Sequence, residues 1–201
     1  MVVNLQKGQR VDLTKGNASL NKIYVGLGWD PVQQKSGGLF SSLFGGGKAA
    51  DVDCDASCLM LRDGKVSGKT DIVYFGNLRS ANGAVAHSGD NLTGAGDGDD
   101  EVISVELKNI PAEYDKLTFV VNIYDARNRK QHFGMIQNAY IRIVNASTNE
   151  ELIRYSLTDN YADMMSLVVG EIYRQGTDWK FAAVGSGTQD GSLGELIKKY
   201  Q

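Results

Sequence analysis

The residues best suited to chemistry in this chain are carboxylates gathered into two short segments. The first runs Asp51-Val52-Asp53-Cys54-Asp55-Ala56-Ser57-Cys58 in strict alternation. In an extended strand Asp51, Asp53, Asp55 and Ser57 share one face, and Val52, Cys54, Ala56 and Cys58 share the other. The apolar face belongs to a core. The acidic face sets like charges roughly 6.5–7 Å apart, and a cation between two of them relieves that repulsion. The second segment, His87-Ser88-Gly89-Asp90-Asn91-Leu92-Thr93-Gly94-Ala95-Gly96-Asp97-Gly98-Asp99-Asp100-Glu101, carries five acids and no Lys or Arg. Its glycines let the backbone bend and turn carbonyls inward. Hard oxygen donors select calcium or magnesium over zinc or copper. A pliable loop that adds carbonyls to carboxylates favours the larger, irregular calcium shell. The competing reading is a charged, solvated surface loop.

The spacing does not make an EF-hand. Counted from Asp51, position 6 is Ala56 where glycine is needed and position 12 is Arg62 where glutamate is needed; counted from Asp97, position 12 is Lys108. A site from these segments must therefore be built by loops at one end of a β-structure, by analogy with C2-type calcium modules. Other chemistry is set aside. His87 and Ser88 are neighbours and face opposite ways on a strand, so they make no nucleophile–base pair. His132 follows a basic run and caps a polar loop. Gly185-Ser186-Gly187 lacks the lysine of a phosphate loop. Cys54 and Cys58, four apart on a strand, have Cα atoms roughly 13 Å apart, too far for a disulfide. They are expected as buried thiols, neither reductant nor zinc pair.

These groups are positioned by short strands. Segments 22–29, 52–60, 70–75, 102–107, 117–124 and 140–144 are rich in Val, Ile, Tyr and Phe and bounded by Gly, Asn or Asp. Residues 167–174 and 179–184 read as a hairpin around Gly176. The tail 193–200 is the best helix candidate. The expected fold is all-β, a two-sheet antiparallel β-sandwich with a short C-terminal helix and calcium-binding loops at one end. A single domain over 1–201 carries a Gly/Ser-rich insertion at 31–50, inside which Leu39, Phe40, Leu43 and Phe44 place apolar side chains one helical turn apart. With 42% hydrophobic and 22% charged residues the chain supplies a core. Its net charge of -3 argues against an electrostatic grip on nucleic acid. No apolar run approaches the roughly 20 residues of a membrane span, and residues 1–7 hold no signal core, so a cytoplasmic location is expected.

The chain resembles the TerD family of tellurium-resistance and general-stress proteins. The matching pieces include LQKGQRVDLTK at 5–15, VGLGWD at 25–30, DVDCDAS at 51–57, HSGDNLTGAGDGDDE at 87–101, FGMIQNAYIRIVN at 133–145 and GEIYRQGTDWKFAAVGSG at 170–187. The resemblance implies a cytoplasmic, non-catalytic calcium-binding β-sandwich that works beside other Ter-type stress proteins, including membrane-associated ones. It implies metal ligands at Asp53, Asp55, Asp90, Asn91, Asp97, Asp99, Asp100 and Glu101, with Asp30 completing a site, and two bound calcium ions. The chain departs from the family in its longer 31–50 insertion and in Tyr124-Asp125-Ala126, where histidine often precedes Asp-Ala. Two functions follow as expectations: a calcium-binding stress-response module without catalysis, and alternatively a calcium-dependent membrane-surface adaptor using the apolar residues at 39–44.

Overall fold

The computed structural model describes residues 2–31, 52–89 and 98–201. The apolar residues at 39–44, Asp51, Asp90, Asn91 and Asp97 lie outside the described residues. The strands are β1 (Val3–Leu5), β2 (Arg10–Asp12), β3 (Lys22–Pro31), β4 (Cys54–Leu61), β5 (Ile72–Val73), β6 (Val85–His87), β7 (Glu101–Glu106), β8 (Lys116–Ile123), β9 (Ile136–Asn145), β10 (Glu150–Ser156), β11 (Ser166–Gln175) and β12 (Asp178–Thr188). Two short helices, α1 (Ala126–Arg129) and α2 (Leu193–Ile197), complete the order. One sheet runs β1-β10-β9-β3-β7-β6 and the other β2-β12-β11-β8-β4-β5, and each is bounded on both sides by a strand of two or three residues.

The expected sandwich is present, with one exception to its antiparallel pairing. Strand β1 joins β10 in parallel, with Val3 opposite Ile153 and Leu5 opposite Tyr155. The 70–75 expectation also narrows: residues Lys69–Asp71 form a 3-10 turn and only Ile72–Val73 pair with β4. Alternation drives the packing. Ile23, Val25 and Leu27 of β3 and Ile103 and Val105 of β7 meet Cys54, Ala56 and Cys58 of β4 and Phe119 and Val121 of β8 in one core between the sheets. Burial of each large apolar side chain there contributes about 1.5–3 kcal/mol. Both cysteines are free and buried on that face.

In the sequence the acidic face of β4 reads as a cation site, with a solvated edge as the competing reading; the structure closes it to water, and every residue of β4 is buried. Leu59, Leu61 and Val120 form a second apolar cluster beneath Leu196 and Ile197 of the tail. The tail is fastened there by a cap in which Ser192 Oγ accepts from Glu195 N at 3.2 Å and Glu195 Oε2 accepts from Gly191 N at 3.0 Å. Arg127 Nη2 donates to the same Glu195 oxygen at 2.6 Å, and Lys199 pairs with Asp190. The basic run at 127–130 is exposed to solvent, lies largely within α1, and through Arg127 clamps the tail.

Candidate metal centre

Asp53 and Asp55 enter the fold at the start of β4, where register decides their surroundings. Asp55 lies opposite Asn122 of β8. Asn122 Nδ2 donates to Asp55 Oδ2 at 3.4 Å, and the Asp55 residue is 4% exposed. Asp53, just before the strand, accepts from Tyr124 N through its carbonyl at 2.8 Å. Its Oδ2 lies 3.4 Å from Arg129 Nη1, and that guanidinium sits over the Tyr124 ring at 5.0 Å.

Glu101 opens β7 and turns inward between the sheets, with its side chain fully buried. Strand β5 pairs with β4 only at Cys58 and Leu59, so the N–H of Ala56 lies beyond its reach. Glu101 Oε2 accepts from that N–H at 2.5 Å and stitches one sheet to the other. The same oxygen lies 3.3 Å from His87 Nε2, within ion-pair distance but outside hydrogen-bond geometry. His87 Nδ1 accepts from Gly89 N at 3.0 Å, which leaves the ring proton on Nε2 beside the carboxylate. Asp100 Oδ2 accepts from Trp29 N at 2.7 Å, where a bulge between Gly28 and Asp30 breaks the β3–β9 ladder. Burial pushes the Asp100 carboxyl above its ordinary value against the pull of the Trp29 N–H, and the nearby charges of Asp30 and Asp99 push it further.

Asp99 and Asp30, like the other described candidate ligands, are engaged by protein donors. Asp99 takes a bidentate pair from Arg142, at 2.7 Å from Nε and 2.9 Å from Nη2. The pair lies over Gly26, where a Cβ would collide with the Asp99 carboxylate. Asp30 Oδ2 accepts from Asn138 Nδ2 at 2.8 Å. Four other acids lie near enough to Cys54 for their charges to act on its thiol. The Cys54 thiol is pushed well up, first by burial and then by the charges of Asp55, Asp53, Glu101 and Asp100. Among the described residues no three His, Cys, Asp or Glu side chains close on a common point. The side chains of Asp53, Asp55, Asp100 and Glu101 offer carboxylate oxygens, a donor type that suits a hard cation and offers nothing to a soft one. The chemistry of the donors thus fits calcium for Asp53, Asp55, Asp100 and Glu101.

Several residues at this pole were not singled out from the sequence. Asn122 had one signal, a polar residue inside the apolar run of β8. Arg142 and Arg129 had none, because their acid partners lie 43 and 76 positions away.

The comparisons with known proteins agree with this architecture. The TerD domain model matches residues 1–200. Stress response protein SCP2 of Bacillus subtilis (strain 168) is 58% identical over 200 residues, covering all of both chains. Tellurium resistance protein TerD of Serratia marcescens is 42% identical over 201 residues, covering 100% of this chain and 97% of that protein. The crystal structure of a homologue of telluride resistance protein (TerD) from Streptomyces coelicolor A3(2) superposes with a TM-score of 0.63 at 19% identity, covering 85% of this chain and 92% of that one. With a match along essentially its whole length and relatives well above 30% identity, the chain belongs to the TerD family.

Proposed function

We propose that this protein is a calcium-binding stress-response module of the tellurium-resistance type, acting in the cytoplasm through protein partners rather than by catalysis. The supporting observation is that the two sheets bring Asp53 and Asp55, at the start of β4, and Asp100 and Glu101, at the start of β7, to one pole, where Glu101 bonds the Ala56 N–H. Bound there, calcium would supply positive charge that relieves carboxylate repulsion. The chain's own residues do the positioning. Glu101 ties β7 to β4, Asp100 pins the loop's end to the β3 bulge, and Arg129 holds Asp53. Asp90, Asn91 and Asp97, from the intervening loop, are the remaining donors of the proposed set, and two ions match the number of carboxylates. A pole ordered in this way presents a surface to other Ter-type stress proteins, including membrane-associated ones.

Calorimetric titration of chelator-treated protein tests the reading. Calcium heat is expected, with two ions per chain by native mass measurement. The melting midpoint should rise by the equivalent of about 2.7 kcal/mol at a hundredfold excess over Kd. Substitution of Asp53 and Asp100 by Asn should weaken the heat. Absence of both heat and melting shift in the parent protein would remove the proposal.

A further inference from the structure

Between the outer face of β4 and β8 and the turn that leads into α2 lies a cavity of about 360 Å³. Its floor is formed by Asp55, Ser57 and Asn122, each more than nine-tenths buried. Asn122 Oδ1 and Ser57 Oγ have no hydrogen-bond partner there. Buried polar atoms of this kind are normally paired, and a cavity floored with them calls for a ligand that brings donors. The walls are aromatic: Tyr74, Phe75 and Tyr124 line the space. Phe75 and Tyr124 are 42% and 48% exposed at its mouth. Among the described residues that line it the charged groups are Asp55 and Asp125, with no Lys, Arg or His.

The geometry points to a binding site for a primary alkylammonium ion. The ammonium donates to Asn122 Oδ1 and to Asp55, and the alkyl chain lies among Tyr74, Phe75 and Tyr124. Three features select this chemistry. Aromatic rings attract cations, and Tyr74 and Phe75 line the space. A neutral apolar guest would leave the buried acceptors unpaired. A bare calcium ion needs about six to eight oxygens, which aromatic walls do not provide. A free amine and the lysine side chain of a partner protein carry the same group, so both are sources of the ligand. The inference does not rest on the calcium reading; Asp55 is the residue the two share.

The experiment is a titration of the full chain in chelator with two probes, 1,4-diaminobutane and an N-acetyl-lysine amide, with 1-butanol as the uncharged control. At least one amine is expected to bind and raise the melting midpoint, while butanol does neither. Asn122→Leu and Phe75→Ala should each weaken amine binding about tenfold, the loss of one buried acceptor or one cation-facing ring. Phe75 is partly exposed, so its variant decides the matter if Asn122→Leu does not fold. Binding of the diamine alone identifies a free amine as the source, and binding of the lysine amide alone identifies a partner's lysine. Failure of both amines to bind overturns the inference, as does unchanged affinity in both variants. Displacement of bound amine by saturating calcium also overturns it, because the cavity is then the metal's. Amine binding by a protein that takes up no calcium keeps this inference and removes the earlier one, and Phe75→Ala should leave any calcium heat unaltered.

Discussion

Glu101 carries two duties at the scale of a single side chain. It stands among the proposed metal donors, and it accepts from the Ala56 N–H that no strand reaches. The second duty is independent of any ion. Glu101→Leu in chelator should cost about 1–3 kcal/mol, the penalty for stranding a buried donor, and Glu101→Gln less because its amide keeps an acceptor. Urea denaturation measures both, and a Leu variant as stable as the parent in chelator would refute the role. Acid placement was legible in the sequence to the extent that it follows from period two: Asp53 and Asp55 do fall opposite Cys54 and Ala56. What the period could not reveal is who else arrives. Asp99 looked equivalent to Asp100, yet the register of β9 brings Arg142 to one and leaves the other to the Trp29 N–H.

Strand pairing sets a second balance. Arg142 of β9 and Arg154 of β10 are directly opposite, an unfavourable pairing of like charges. Glu151 resolves it, accepting from Arg142 Nη1 at 2.9 Å and Arg154 Nε at 2.8 Å. Hydrogen bonds from Arg154 and then Arg142 hold its carboxyl below the usual range against the opposing effect of burial. A carboxyl lowered by folding stabilises the protein at pH above its unfolded value, and that stabilisation is lost as pH falls through the folded value. Glu151→Gln should therefore lower the melting midpoint at pH 7, and the gap to the parent should close below about pH 4. A gap that is constant with pH would show that the charge is not the cause. Strands with clean apolar alternation, such as β3, β7 and β8, were readable within a few residues. Strands β1, β2 and β6 escaped because three residues carry no measurable period, and β10 because its charges serve this cross-strand network. The tail helix was expected, but its seat over Leu59 and Leu61 was not, since a strand buried on both faces reads like one whose polar side is wet.

At the scale of the molecule, one core joins the sheets, and each sheet contributes one tryptophan to it: Trp29 in β3 and Trp179 in β12. Shared packing of this kind predicts all-or-none unfolding. In Trp29→Phe and Trp179→Phe variants the remaining indole should report the same denaturation midpoint as the backbone signal of that variant. Separate midpoints would mean that the sheets unfold as distinct units. The sandwich itself was legible because many short alternating segments have few other ways to hide one face. The contribution of the 39–44 residues lies outside the described part of the chain. The two- and three-residue strands that flank both sheets have a consequence for behaviour in a crowded solution. A neighbouring chain seeking to extend either ladder finds in these edge strands a template of two or three residues, too brief to hold it.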